Sequence, residues 1–257
     1  MEKEYYADML RVSVFADRAS MGEAAANDVA ARISQLLTKQ AFVNIIFAAA
    51  PSQNEFLAAL VKSPVDWHRI RAFHMDEYVG LSDAAPQRFG NFLKEKIFEK
   101  LPFLDVYYLQ GNALDIEEEC KRYALLLKQY PVDIVCMGIG ENGHIAFNDP
   151  PVADFKDRQL VKLVELEEAC RQQQVNDKCF TDIEEVPLNA ITLTIPALMA
   201  AKYVYCMVPG PTKAMAVYNT IHQPVLEQYP STILRTHTAA VLYLDAFSSN
   251  RLEKTAG

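Results

Sequence analysis

No stretch of the sequence approaches 18 consecutive apolar residues, so we expect no membrane-spanning helix. The first ten residues are charged and lack the apolar core that a signal peptide needs. Basic residues are also scarce, because 25 Lys and Arg face 33 Asp and Glu and leave a net charge of −8. That balance argues against nucleic acid and anionic membrane surfaces as partners. A small phosphorylated ligand remains compatible with it, since a few local cations and backbone N–H groups can hold a phosphate.

The five cysteines include no Cys-x-x-Cys pair and are odd in number. They predict buried or incidental thiols in a reducing compartment, with no disulfide frame and no metal site. We therefore expect a cytoplasmic protein. Half of the 257 residues are hydrophobic, which is enough to bury a core. No repeat, low-complexity run or linker divides the chain, so we predict one domain over residues 1–257.

Short apolar runs alternate with segments of helical spacing along the chain. The runs of strand length are 12–15, 42–49, 70–75, 106–109, 134–137, 160–164, 191–194, 203–208 and 239–244. The helical segments are 20–36, 52–61, 87–101, 116–130 and one that begins near Thr212. Such alternation predicts an α/β fold with a doubly wound, mostly parallel, Rossmann-like sheet and helices on both faces. The charged stretch 154–170 gives no clear pattern, apart from the apolar run that it contains.

Two helices begin with the pattern of a capping box, Ser20 to Glu23 and Ser52 to Glu55. The second would place backbone N–H groups and the Ser52 hydroxyl at a helix N-terminus, where phosphate binds well. The alternative, that Ser52 only caps its own helix, is equally open.

A glycine-rich turn with a histidine follows the apolar run 134–137. Three glycines in six residues suit a tight turn that approaches another group closely. His144 comes directly after them, at the C-terminal end of a buried strand, where open α/β sheets hold their ligands. The non-functional alternative is a glycine turn in which the histidine has no catalytic or binding role. The glycines are Gly138, Gly140 and Gly143, and the flanking carboxylates are Glu141 and Asp149.

Several polar segments follow the C-terminal ends of predicted strands. They are the loop 50–55, Asp76, the turn 138–149 and Lys213. In a parallel sheet those strand ends lie along one edge, so we expect the segments to converge there. The convergence favours a functional interpretation of Asp76 and His144.

Two segments resemble the glucosamine-6-phosphate deaminase (isomerase) family. Residues 73–80, Phe-His-Met-Asp-Glu-Tyr-Val-Gly, resemble its Met-Asp-Glu-Tyr segment. Residues 138–150, Gly-Ile-Gly-Glu-Asn-Gly-His-Ile-Ala-Phe-Asn-Asp-Pro, resemble its Gly-x-Gly-x-Asp/Asn-Gly-His-Ile-x-Phe-Asn-Glu-Pro signature. Weaker similarity extends over most of the chain. The related 6-phosphogluconolactonases share the fold and a Gly-His turn, but usually continue with Thr-Ala-Ser-Leu-Phe-Pro.

The resemblance implies conversion of glucosamine 6-phosphate and water to fructose 6-phosphate and ammonia. His144, oriented by Asp149, would open the sugar ring, and Asp76 would move a proton between C2 and C1. Glu77 is expected to be structural, because adjacent side chains of a strand point to opposite faces. Asn142, where many members carry aspartate, would act by hydrogen bonding. No metal or organic cofactor is implied.

The resemblance also implies a sugar-phosphate site. Lys213 matches the family's phosphate lysine, and Lys178 lies near the position of a family arginine. Residues 49–51, Ala-Ala-Pro, depart from the usual Gly-Gly/Ser-Thr-Pro loop, so phosphate must be held differently. The expected substrate and phosphate ligands are Ser52, Gln53, Gly140, Gly143, Lys178 and Lys213.

Three alternatives remain open from the sequence: a 6-phosphogluconolactonase, a deaminase of another hexosamine 6-phosphate such as the galactosamine epimer, and a non-catalytic sugar-phosphate sensor. The stretch 154–164 lacks a clear match to the basic residues by which some members bind an allosteric amino-sugar phosphate. Because the family is often hexameric, the resemblance also raises a homo-oligomer as an expectation.

Overall fold

The computed structural model describes residues 1–252. Its strands are, in chain order, β1 Lys3–Ala7, β2 Leu10–Phe15, β3 Val43–Phe47, β4 Ile70–His74, β5 Asp76–Tyr78, β6 Asp105–Tyr107, β7 Ile134–Met137, β8 Val161–Glu165, β9 Asn189–Leu193, β10 Tyr203–Val208 and β11 Ala240–Asp245. Its α-helices are α1 Arg18–Leu37, α2 Asn54–Leu60, α3 Phe89–Leu93, α4 Ile116–Gln129, α5 Glu168–Asn176, α6 Ile195–Met199 and α7 Ala214–His222.

Eight strands form one central sheet in the order β1-β2-β11-β10-β7-β3-β4-β6. All neighbours in it are parallel except β1 and β2. Successive side chains of β7 enter two separate apolar cores, Ile134 and Cys136 on one face and Val135 and Met137 on the other. Helices α1, α2 and α3 pack in the first core, and α4, α6 and α7 in the second. The predicted doubly wound, mostly parallel sheet is confirmed.

A second sheet of three antiparallel strands, β5-β9-β8, lies beyond the end of β4. The chain leaves the central sheet at Met75, whose carbonyl accepts a hydrogen bond from the Leu193 backbone N–H (2.8 Å). Asp76 then pairs with Thr192 of β9. The sequence predicted these residues as members or neighbours of one large sheet, so the separate small sheet was missed.

The helix starts differ from the predicted capping boxes. Helix α1 begins at Arg18, and the Asp17 side chain accepts the backbone N–H of Ser20 (2.8 Å). Ser52 lies in a 3₁₀ turn before α2, and no side chain caps that helix. Glu55 instead bonds the Arg18 guanidinium through both oxygens at 3.0 Å. A cross-helix ion pair therefore replaces the second capping box. Thr212 likewise belongs to a 3₁₀ turn and caps nothing.

The predicted helix over 87–101 consists of the short α-helix α3, Phe89–Leu93, followed by a π-helix, Lys94–Phe98. Strand β1, at the antiparallel edge of the sheet, was not predicted, and neither was α5, which begins at the end of the charged stretch and extends beyond it. None of the described helices combines the length and hydropathy that a bilayer crossing requires.

Candidate active site

A pocket of about 570 Å³ opens where the ends of β3, β7 and β10 meet the start of β5. The polar segments that were expected to converge do so around this pocket. Those predicted site residues that line it are Ser52, Gln53, Asp76, Gly140, His144 and Lys213. Those that do not are Asn142, Gly143, Asp149 and Lys178.

The turn after β7 is closed by its own backbone. Gly140 N–H donates to the His144 carbonyl (2.9 Å), and Gly143 N–H donates to the Gly140 carbonyl (3.1 Å). Gly143 has a φ of +87°, a left-handed conformation that other residues rarely adopt. A Cβ on Gly140 would lie 2.2 Å from Cε1 of His144. The turn therefore needs glycine at 143 for its backbone and at 140 for the imidazole ring.

His144 is backed by a buried carboxylate. Its Nδ1 lies 3.0 Å from Oδ1 of Asp149, and the two residues are 8% and 1% exposed. Burial opposes ionisation of Asp149, but His144 and the Asn142 amide outweigh it and hold the pKa of Asp149 below its ordinary value. The aspartate is therefore charged and faces the imidazole.

Asn142 links three groups behind the histidine. Its Nδ2 donates to Asp149 (2.9 Å) and to Glu167 (3.1 Å), and its Oδ1 accepts the His144 backbone N–H (3.0 Å). An aspartate here would lack the two donated hydrogen bonds and would face two carboxylates. Asparagine is therefore suited to this chain because Glu167 lies opposite it.

Asp76 is 6% exposed and lines the pocket. Burial, and secondly the neighbouring Glu77 charge, raise the pKa of Asp76 well above its ordinary value. A carboxylate with a raised pKa is a stronger base than one in water, which suits it to take a proton from carbon.

Glu77 has a different environment although it is adjacent in sequence. It accepts backbone N–H groups from Tyr78, Phe89 and Gly90 at 2.9 to 3.1 Å and lies 3.7 Å from Arg88 Nε. Desolvation raises the pKa of Glu77, and these donors oppose the rise. Glu77 thus anchors the start of α3, consistent with the structural role expected for it.

A second histidine, His74, lies two residues before Asp76 but is fully buried. Its Nε2 accepts the Leu109 backbone N–H (2.8 Å), and burial lowers the pKa of His74 to about 3. It is therefore a neutral structural acceptor between β4 and the segment after β6.

The cationic side of the pocket is formed by Lys213. Gly210, with φ +95°, turns the chain after β10, and Lys213 follows in a 3₁₀ turn at 5% exposure. Burial lowers the pKa of Lys213, and Asp177 and Glu141 oppose this. Within the described chain no carboxylate lies within salt-bridge distance of this lysine. Its charge is therefore available to an anion in the pocket.

Gln53 and Ser52 lie beside this lysine in the pocket wall. Gln53 is 1% exposed, and its Nε2 donates to Ser52 Oγ (3.2 Å) and the Met207 carbonyl (3.4 Å). A Cβ on Gly138 would meet both side chains at 3.1 and 3.4 Å, so the glycine turn packs closely on this loop. The Ala-Ala-Pro loop thus presents polar side chains to the pocket next to a lysine.

Lys178 lies outside this pocket. It is exposed, has a φ of 60°, and borders a neighbouring hollow lined by Phe89 and Phe92. Neither Lys213 nor Asp76 lines that hollow.

Sequence reasoning missed the contribution of α5. Gln173, Gln174 and Asp177 line the pocket, and Gln173 Oε1 accepts the Glu141 backbone N–H (2.7 Å). The signal was available, because Cys170, Gln173, Gln174 and Asp177 recur at i, i+3, i+4 and i+7. A helix face made of amides and a thiol lacks the apolar stripe that usually reveals such a pattern.

Comparison with known proteins identifies a family. A profile described as glucosamine-6-phosphate isomerases/6-phosphogluconolactonase matches residues 16–243. A glucosamine-6-phosphate deaminase of Streptococcus pyogenes serotype M3 is 34% identical over 206 residues, which cover 80% of this chain and 86% of the relative. One of Streptococcus suis is 35% identical over 205 residues, with the same coverage.

Solved structures agree with the sequence comparison. A monomeric glucosamine-6-phosphate deaminase superposes with a TM-score of 0.86 at 26% identity, covering 93% of this chain and 98% of that one. A 6-phosphogluconolactonase of Thermotoga maritima has a TM-score of 0.75 at 18% identity, covering 91% and 98%. The second likeness concerns the fold alone.

Proposed function

The chain belongs to the family of glucosamine-6-phosphate isomerases and 6-phosphogluconolactonases, and we propose that it converts glucosamine 6-phosphate and water to fructose 6-phosphate and ammonia. One observation carries the proposal: a buried carboxylate of raised pKa, Asp76, shares a pocket with a carboxylate-backed histidine and with Lys213, which has no ion-pair partner among residues 1–252. The reaction needs a base for a C–H proton, a group that opens the ring and a cation for phosphate.

Ring opening is assigned to His144. A proton must move between the C1 hydroxyl and the ring oxygen, and an imidazole can accept and return one near neutral pH. Asp149, at 3.0 Å from Nδ1, would stabilise the imidazolium that forms during the transfer. Asn142 holds that carboxylate in place through its 2.9 Å hydrogen bond.

The C2 to C1 proton shuttle is assigned to Asp76. It would remove the C2 proton of the open-chain sugar and return it at C1 from the same face. The low exposure of Asp76 supports this role, because a desolvated carboxylate keeps the abstracted proton from exchanging freely with water. That transfer leaves C2 as an iminium carbon, to which water adds, and ammonia leaves as the C2 ketone forms, which balances the reaction. Every step is a proton transfer or the addition or loss of water and amine, so no cofactor is invoked.

Phosphate binding is assigned to Lys213 with Ser52 and Gln53. None of the carboxylates in residues 1–252 pairs with Lys213, and the two polar side chains lie beside it in the wall. An anion would restore the solvation that burial removes from the ammonium group. We expect this binding to be nearly equal in ground and transition states, so it should act on KM.

Ammonia release from glucosamine 6-phosphate tests the proposal, with galactosamine 6-phosphate and free glucosamine as comparison substrates. We expect release from the 6-phosphate of glucosamine at a rate far above that from the free sugar. Asp76→Asn is the matched control, because it keeps the size of the side chain and removes the base. Loss of a positioned base should lower kcat by about 10²–10⁴-fold.

Hydrolysis of 6-phosphogluconolactone, measured in parallel, addresses the lactonase alternative. Lactone hydrolysis abstracts no proton from carbon, so a lactonase would have no use for Asp76 as a base. Rapid lactone hydrolysis that survives in Asp76→Asn, without ammonia release by the wild type, would refute the deaminase assignment.

A further inference from the structure

Cys170 of α5 lies against the carboxylate that backs His144. The Nδ1 or Nε2 of His144, a carboxylate oxygen of Asp149 and Sγ of Cys170 all lie within 4.8 Å of one another, and all three residues are buried. The cysteine spacing along the chain could not predict this group, because α5 brings Cys170 to the turn from 26 positions after His144. The proposed deamination makes no use of the thiol.

Hydrogen bonding within this group is poorly aligned. Among residues 1–252, neither His144 Nδ1 nor Asp149 Oδ2 makes a hydrogen bond of good geometry, although their residues are more than nine-tenths buried; the groups that face the carboxylate include the imidazole and the Cys170 thiol. The Nδ1 atom is close to Asp149 Oδ1 but is not aligned for a hydrogen bond with it. Buried polar atoms without partners are unfavourable. A cation bound between the three side chains would satisfy both atoms.

We propose that His144, Asp149 and Cys170 form a binding site for a zinc ion. Imidazole, carboxylate and thiolate are the ligand types that zinc takes in proteins, whereas magnesium and calcium prefer oxygen atoms alone. Zinc bonds of about 2.0–2.3 Å hold tetrahedral ligand atoms roughly 3.3–3.8 Å apart. The three side chains therefore need to move by about 1 Å to reach one ion. Binding releases the thiol proton to solvent, and water takes the fourth position.

An ion at this site would inhibit the enzyme. It would bind two groups, His144 and Asp149, that the proposed reaction uses for ring opening. This consequence rests on the proposed function, whereas metal binding itself does not. The site is therefore a regulatory or toxic metal site and supplies no step of the reaction.

Cobalt absorption spectroscopy tests the site directly. Co²⁺ takes the same ligands as zinc, and its bond to a thiolate gives a near-ultraviolet charge-transfer band. We expect this band to appear when Co²⁺ is titrated into the wild-type protein and to disappear when zinc is added. The same band in Cys170→Ser, or no band in the wild type, would overturn the proposal.

Cys179→Ser is the matched control, because Cys179 is the one cysteine that is only partly buried and so the most accessible competing thiol. It should keep the cobalt band. Loss of the band in Cys179→Ser with retention in Cys170→Ser would assign binding elsewhere and refute the site. Cys170→Ala, checked by circular dichroism, replaces Cys170→Ser if the serine variant does not fold.

Zinc inhibition of ammonia release tests the consequence. Wild-type activity should fall on addition of zinc and recover with a chelator. The Cys170→Ser variant, normalised to its own activity, should need at least about tenfold more zinc for the same fractional loss. Equal sensitivity of the two proteins would refute inhibition through this site. If the wild type releases no ammonia at all, the proposed function fails, and the cobalt titration still decides the metal site.

Discussion

Gly140→Ala should abolish most of the activity while leaving the fold intact. The added Cβ would lie 2.2, 2.3 and 2.4 Å from Cε1, Nδ1 and Nε2 of His144. The φ of Gly140 is not in the left-handed region, so the backbone itself accepts alanine. The clash is therefore with the imidazole ring alone, which must turn away from its position beside Asp149.

The size of the displacement follows from these contacts. Ordinary van der Waals contact begins at 3.4 Å, so relief of a 2.2 Å contact requires the ring or the turn to move by roughly 1 Å. A misplacement of about 1 Å in a catalytic group can cost on the order of 10²-fold in rate. Overpacking costs about 1–3 kcal/mol of stability. The lower entropy of the unfolded alanine chain offsets about 0.4–1 kcal/mol of that cost.

The assay is kcat for ammonia release, combined with thermal unfolding of the same preparations. Gly138→Ala is the matched control in the same turn, since its Cβ would meet only the flexible end of Gln53 and two oxygens at 3.1 to 3.4 Å. That control should raise KM through Gln53 and leave kcat within about threefold, in line with uniform binding. A Gly140→Ala enzyme with wild-type kcat would show that the position of the His144 ring does not limit the reaction.

Three further predictions concern Asp76, Lys213 and Asn142. Because burial raises the pKa of Asp76 above 3.8, its contribution to stability is lost as pH rises through the folded-state pKa. Asp76→Asn should therefore unfold at a higher temperature than the wild type, by a margin that grows above about pH 4, and a margin that is constant across pH would contradict this. Lys213→Met should raise KM at least about tenfold without lowering the melting temperature, since it removes a desolvated cation of lowered pKa; kinetics that lose kcat alone would contradict a phosphate role. Asn142→Asp removes donors to Asp149 and Glu167 and should lower the free energy of unfolding by about 1–3 kcal/mol. The negative charge that it adds beside His144 should also move the acid limb of the kcat/KM profile to higher pH. Adding Glu167→Gln should reverse part of both effects, and no reversal would show that the two side chains are not coupled.

Strands of the central sheet could be predicted because burial on both faces leaves continuous apolar runs. The run 134–137 is β7 without any change of bounds, and 203–208 is β10. The turn after β7 could also be predicted, since three glycines so close together indicate a tight turn. The convergence of the site then followed from parallel topology alone.

The helix starts were harder to predict, because a capping pattern is read from neighbouring residues, whereas the side chains that compete for the capping residue come from distant parts of the chain. Glu55 could have completed a capping box, yet it bonds Arg18 from a helix 37 residues away. The Asn142 position shows the same limit. The sequence shows that asparagine stands where many family members carry aspartate. It does not show the reason, because Glu167, which makes an amide suitable there, comes from the start of α5.

The small sheet explains how Asp76 and His144, the two groups to which we assign the proton transfers, keep a fixed relation although they come from distant segments. Thr192 of β9 pairs with Asp76 in the ladder, and its Oγ1 accepts the Phe147 backbone N–H (3.1 Å) from the turn after His144. Asn148 adds a second link, since its amide donates to the Leu193 carbonyl and to the Ile145 carbonyl, both at 2.8 Å. Strand β9 is thus bonded to both segments through buried groups, which water cannot replace. A displacement of β9 would move Asp76 and His144 together, so the pocket keeps its internal geometry even though its parts belong to different sheets.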